Sequence, residues 1–164
     1  MAVHNKSGLT TLSLMNWKVE DIKKVYSIIQ KNLSDPVPCS INPSKCCKLY
    51  KTEDGRASLH GRKVYAYEVI AYMKFGRESL SRVAASKVQS DIVISHLCGT
   101  RACCTAEHLA LETKEANDTR THCHFCLRQM FNAFNIDQRC SAEQYVIHFH
   151  EMRLCPHIPK CGIF

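Results

Sequence analysis

The chain has 164 residues, a formal net charge of +7, eleven cysteines and nine histidines. That length accommodates one domain, or one domain with appendages. No run approaches the roughly 18 apolar residues of a membrane span, and Met1 to Thr10 lacks the apolar stretch of a secretory signal. Cysteine mixed with histidine, without a signal, points to a reduced intracellular compartment and to metal ligation rather than a disulfide framework. The positive balance suits a polyanionic partner as well as it suits a merely basic soluble surface.

Taken in order, residues 16–33 predict an amphipathic helix. Trp17, Ile22, Val25, Ile28, Ile29 and Leu33 recur at three- and four-residue spacing, Asn16 is a candidate cap, and the Pro36-Val37-Pro38 segment ends the run. Its expected role is core packing or a dimer contact. Residues 39–61 are turn-rich and carry Cys39, Cys46 and Cys47, with Lys48-Leu49-Tyr50 as a short strand before a turn at Asp54-Gly55. Arg62 to Tyr67 alternates like a strand, while Tyr65 to Tyr72 reads equally as a helix. Phe75-Gly76-Arg77 marks a helix end or turn.

Asp91 to Ile94 is a short β-branched run that delivers Ser95-His96, and His108 to Glu112 reads as its partner strand. Residues 113–120 follow as a helix with Thr113 as cap. The local order is therefore strand, loop, strand, helix. Farther on, Leu127–Phe134 and Ala142–Met152 read as short helices. An N-terminal helical segment over 1–38, joined to a compact region over 39–164, is the expected organisation.

The informative run is H-x-C-x4-C-x4-H-x8-N, from His96 through Cys98, Cys103 and His108 to Asn117. Cys98, Cys103 and His108 have the types and spacing of three ligands of one tetrahedral zinc. The fourth is expected upstream: Cys47 first, Cys46 close behind it, then Cys39. Cys104 is disfavoured, because adjacent cysteines rarely aim at one ion. A second cluster, Cys155-x-His157-x3-Cys161, needs Cys123 or Cys126 to complete it. Alternatively Cys123 and Cys126 pair with His148 or His150, and Cys140 completes the C-terminal cluster or stays free. His96 and Asn117 remain as a spare imidazole and a spare amide beside a stapled turn, which suggests a catalytic site.

Ser95-His96-Leu97-Cys98, Arg101, Cys103, Glu107-His108-Leu109 and Asn117 together resemble the His-Cys box homing endonucleases of the His-Me finger (ββα-metal) nucleases. The specific part of the resemblance covers roughly residues 95–123 and 155–161. It implies an α+β fold: a small zinc-stabilised mixed domain with short antiparallel sheets, a ββα-metal core and two structural zinc sites. It implies His96 as general base, Asn117 as the ligand of one Mg²⁺, and Arg62 near the scissile phosphate. It implies Cys47 (or Cys46), Cys98, Cys103 and His108 around the first zinc, and Cys123, Cys155, His157 and Cys161 around the second.

The implied activity is Mg²⁺-dependent hydrolysis of double-stranded DNA in the nucleus, with a homodimer as a possible state and no membrane association. A ribbon between Lys48 and Tyr67 is the expected groove reader. Lys51, Arg56, His60, Arg62 and Lys63 are its candidate DNA contacts, and Arg120 is a further phosphate contact. The alternative is a non-catalytic zinc-stabilised module that binds DNA or protein on the same scaffold. Two features depart from the family: residues 124–154 make the second zinc loop much longer, and the sequence stops three residues after Cys161, short of a dimer-swapping tail.

Overall fold

The computed structural model describes residues 13–35, 37–38, 45–49, 55–85, 92–133, 147, 155–159 and 161. The described part is mixed α+β, with three two-stranded antiparallel ribbons and three main helices. Helix α1 spans Val19–Lys31. Its buried positions are Ile22, Val25 and Ile29, one stripe of a 3.6-residue period, and Glu20 and Asp21 sit in the first turn where the helix dipole favours negative charge. The helix is shorter than its periodicity predicts. Trp17 is buried just before it, and Ile28 is exposed.

Strands β1 (Val37–Pro38) and β2 (Lys45–Cys46) pair with Val37 opposite Cys46. The expected strand at 48–50 reduces to one bridge between Leu49 and Leu33, and Tyr50 lies outside the described residues. Strands β3 (Arg56–Leu59) and β4 (Arg62–Tyr65) form a hairpin. Its turn is His60-Gly61, with φ of 50° and 75°; both central residues being left-handed matches the twist of a two-residue loop. The ribbon expected between Lys48 and Tyr67 is therefore this hairpin.

Helix α2 (Ala66–Ala85) starts directly after Tyr65, which resolves the strand-or-helix ambiguity at Ala66. Gly76, at φ 80° and ψ 167°, breaks it into two segments, where the sequence marked a helix end. Strands β5 (Ile92–His96) and β6 (Leu109–Thr113) pair in full register, His96 opposite Leu109 and Ile92 opposite Thr113. A 3-10 turn, Ala106–His108, precedes β6. Helix α3 (Lys114–Ala133) follows at once, and the Thr113 hydroxyl accepts from the Ala116 amide as the expected cap.

Helix α3 corrects the sequence reading. The expected helix at 113–120 and the one beginning at 127 are a single element, so Cys123 and Cys126 lie on a helix and not in a loop. The expected helix at 142–152 falls outside the described residues apart from residue 147, as do Cys39, Lys51, Cys140, His148 and His150.

The main core gathers Trp17, Ile22, Val25 and Ile29 against Val64, Val69, Ile70, Leu80 and Leu109. Helix α1 thus packs on α2 and β3 in the same cluster as β6. Two smaller clusters consist mainly of cysteine: Cys46, Cys98 and Cys103, and Cys123, Cys155 and Cys161 with Leu127. The apolar interior thins out where these sulfurs collect, as expected of a small fold stapled by metal.

Candidate metal and active site

Cys46, Cys98, Cys103 and His108 bring one ligand atom each into a group in which all atoms lie within 4.8 Å of one another. Cys46 Sγ is 3.6 Å from Cys98 Sγ and 3.7 Å from His108 Nδ1, and Cys103 Sγ is 3.3 Å from His108 Nδ1. Tetrahedral zinc, with Zn–S near 2.3 Å and Zn–N near 2.0–2.1 Å, has ligand–ligand edges of about 3.6–3.8 Å. The donor set and its edges fit zinc, and the sulfurs are far too distant for a disulfide, whose S–S bond is about 2.05 Å.

Cys46, not the first-choice Cys47, is the fourth member. The reason is the alternation of an extended chain, in which neighbours face opposite sides. Cys46 points in. Cys47 is half-buried, and its amide donates to Thr105 Oγ1 at 3.0 Å. Cys103 and Cys104 split the same way: Cys103 joins the cluster, while Cys104 packs in the main core, where burial pushes its thiol up to about 12. The two vicinal pairs are joined directly, the Cys104 amide donating to the Cys47 carbonyl at 2.7 Å.

Cys123, Cys155, His157 and Cys161 form the second such group. His157 Nδ1 lies 3.4 Å from both Cys155 Sγ and Cys161 Sγ. Its Nε2 is 3.0 Å from Thr119 Oγ1 on α3. With Nδ1 facing a metal, the ring proton sits on Nε2 and donates to Thr119, whose own hydroxyl reaches the Glu115 and Ala116 carbonyls. This group also fits zinc. Cys126 is excluded from it: one helical turn on, its Sγ faces the exposed His122 at 3.7 Å.

His96 ends β5 beside the first cluster. The Leu97 amide donates to the His108 carbonyl at 2.8 Å, and the Gly99 amide to the His96 carbonyl at 3.0 Å, so the turn after His96 is fixed at both ends. Gly99 has φ 67°, and a Cβ there would stand 3.1 Å from His124 Nδ1. The chain needs glycine at this point both for its backbone and for the close approach of α3. The His96 ring is half-buried and meets the Tyr67 ring edge-on at 4.8 Å. Burial outweighs the favourable Cys98 charge and Cys103 carbonyl, and lowers its pKa to about 4. The imidazole is neutral at physiological pH, and its Nε2 has no hydrogen-bond partner among the described residues.

Asn117 is half-buried in the first turn of α3. It opens a stripe that continues through Arg120, Cys123, His124 and Leu127, so one helix face carries the amide, a second-cluster ligand and the histidine under Gly99. Arg120, expected on a phosphate, is instead 1% exposed. Its guanidinium grips Glu112, Nε to Oε1 at 2.9 Å and Nη2 to Oε2 at 2.7 Å. Its Nη1 donates to the Pro159 carbonyl at 3.0 Å and to Cys161 Sγ at 3.3 Å. Burial alone would raise the Glu112 pKa, but the Arg120 hydrogen bonds hold it below the ordinary carboxylate value.

The other candidate contacts among the described residues lie on the β3–β4 hairpin. Arg56 donates to the Tyr65 hydroxyl at 2.8 Å, and its guanidinium stacks on that ring at 4.6 Å. Tyr65 in turn stacks on Tyr67 at 5.5 Å, which completes a ladder to His96. His60, Arg62 and Lys63 are exposed around the hairpin tip. Glu112, Thr119, His124 and Tyr67 lie in no ligand or catalytic spacing pattern, so the sequence alone marks none of the four.

Residues 38–164 match the family model described as the zinc-binding loop region of homing endonuclease. The chain belongs to this family. The homing-endonuclease resemblance read from the His96–Asn117 run is thereby borne out, and so is the α+β scaffold with two Cys/His clusters able to hold structural zinc. No curated protein and no solved structure matches this member of the homing-endonuclease family. Among the described residues, no helix is long and apolar enough to cross a membrane.

Proposed function

We propose that the protein is a Mg²⁺-dependent endonuclease that hydrolyses phosphodiester bonds in double-stranded DNA, with His96 as general base and Asn117 as the magnesium ligand. The observation that carries this reading is the setting of His96: a neutral imidazole at the end of β5, held by the Cys98–His108 turn of the first cluster and by the Tyr67 ring, beside a helix whose first turn carries Asn117. The family to which the chain belongs supports a nuclease-like scaffold.

In this mechanism the neutral His96 ring accepts a proton from the attacking water. The Asn117 side-chain oxygen would hold Mg²⁺ as a hard oxygen donor, and the ion, when bound, would supply charge stabilisation for the leaving oxygen. The positive end of α3 adds to the field that draws a phosphate to Asn117. Arg62 neutralises a non-bridging oxygen, and His60 and Lys63 with Arg56 contact the duplex along the hairpin. The two filled Cys/His clusters act as staples without an open position. Helix α1 serves as an N-terminal helical segment laid on the nuclease region, and the nucleus is the compartment proposed for the protein.

The test is supercoiled plasmid incubated with zinc-loaded protein and Mg²⁺, beside His96→Ala and Asn117→Ala. Cleavage by the wild type that is lost in both variants supports the assignment. Cleavage that survives His96→Ala sinks it. Tight binding of DNA without any cleavage replaces it with the binding-module reading.

A further inference from the structure

Arg120 heads the fully buried large side chains among the described residues. A guanidinium does not give up its proton, so burial is tolerated only where its donors are matched. Here they are matched by two separate pieces of the chain. Glu112 belongs to β6, which is paired along its length with the strand that ends in His96. Pro159 and Cys161 belong to the ligand loop of the second cluster. Arg120 itself stands one turn after Asn117 on α3.

We propose that Arg120, together with Glu112, is a positioning residue that holds Asn117 in register with His96 and ties that register to the second metal cluster. The proposal rests on the reading of His96 and Asn117 as the catalytic pair. The chemistry of the contact explains the choice of arginine. A zinc-bound thiolate keeps negative charge on sulfur, and a guanidinium N–H aimed at it forms a charge-assisted hydrogen bond. The planar fork meanwhile takes the Glu112 carboxylate through two other nitrogens, which the single ammonium of lysine cannot do. Filling the cluster thus clamps α3 at Cys123, at Thr119 through His157, and at Arg120. The Lys114–Asp118 pair on the same helix is solvent-exposed on both sides and reaches neither the cluster nor β6, which makes it a control.

The experiment uses the zinc-loaded full chain with Arg120→Lys, Glu112→Gln and Asp118→Asn. Three quantities are read: zinc content, the Mg²⁺ concentration giving half-maximal plasmid cleavage, and Mn²⁺ affinity by electron paramagnetic resonance. The first two variants are expected to need about 10- to 100-fold more Mg²⁺ and to bind Mn²⁺ correspondingly weaker, with Asp118→Asn like the wild type. Should a single variant lose zinc or fold poorly, the paired replacement Glu112→Leu/Arg120→Met leaves no orphaned buried charge and is expected to show the same raised requirement with both zincs retained. Wild-type Mg²⁺ and Mn²⁺ responses in folded, zinc-filled variants would reduce Arg120 to a structural strut and overturn the proposal. A wild type that neither cleaves nor binds Mn²⁺ overturns the catalytic reading itself, and this inference with it.

Discussion

The ring of Tyr67 meets His96 edge-on, with centroids 4.8 Å apart and planes at 71°. The contact sets the plane of the imidazole without taking either of its nitrogens. Tyr67→Leu keeps apolar bulk but not the flat edge, and is expected to lower cleavage about tenfold, the scale of an orientation loss, with little change in Mg²⁺ requirement. Tyr67→Phe preserves the ring and is expected to stay within about threefold of the wild type. Equal losses in both variants would show that the hydroxyl acts, and not the ring.

The vicinal cysteines give a sharper discrimination. Cys46 sits in the first cluster and Cys47 outside it. Cys46→Ser should lose one of two zinc ions and, because metal binding is folding free energy in such a site, lower the melting temperature steeply. Cys47→Ser should keep both ions. Zinc counted by native mass spectrometry checks both, and zinc loss in Cys47→Ser alone would reverse the assignment.

Metal removal separates the two kinds of ion. Brief EDTA treatment followed by excess Mg²⁺ should restore cleavage fully, because buried thiolate clusters release zinc slowly. Prolonged chelation with a strong zinc ligand should collapse near-UV circular dichroism and abolish recovery by Mg²⁺ alone. Full activity after verified loss of both zincs would contradict a structural role for the clusters.

Residue type and spacing made much of the site legible. Cys98, Cys103 and His108 fall within eleven residues, and Cys155, His157 and Cys161 within seven, so short-range geometry alone brings them together. The choice between Cys46 and Cys47 was not legible, because it depends on which face of β2 turns inward, and that is set by the ribbon with β1. Arg120 was misread for a related reason. A basic residue on a helix is solvated by default, and only the tertiary meeting of β6 with the second ligand loop makes a partnered interior for it. Helix α3 joins the two pieces expected at 113–120 and from Leu127, and helical spacing delivers Cys123 to the buried face and Cys126 to the flank.

The Glu112–Arg120 pair predicts a pH signature. The Glu112 pKa is depressed in the folded protein, so the pair contributes stability above the unfolded carboxyl value, about 4.3, and loses it as pH falls through the lower folded value. Glu112→Gln strands a buried guanidinium and should cost about 3–5 kcal/mol at neutral pH. In urea denaturation the gap to the wild type should stay constant from pH 7 to about 4.5 and narrow below that, near the unfolded value. A gap that closes nearer neutrality would assign the effect to a histidine or a thiolate instead.

Gly99 offers the most local test, because two separable costs meet at one atom. Its φ of 67° disfavours any L side chain, and a Cβ would also stand 3.1 Å from His124 Nδ1 and 3.3 Å from its Cγ. Gly99→Ala should therefore destabilise by about 1–3 kcal/mol and, by displacing the turn that follows His96, lower cleavage more than stability alone explains. Adding His124→Ala removes the steric part and leaves the backbone part. The double variant should then recover some of the stability lost in Gly99→Ala, a positive coupling between neighbours in contact. If the two substitutions instead add independently in thermal denaturation, α3 does not rest on the turn, and the support of His96 comes from the first cluster and Tyr67 alone.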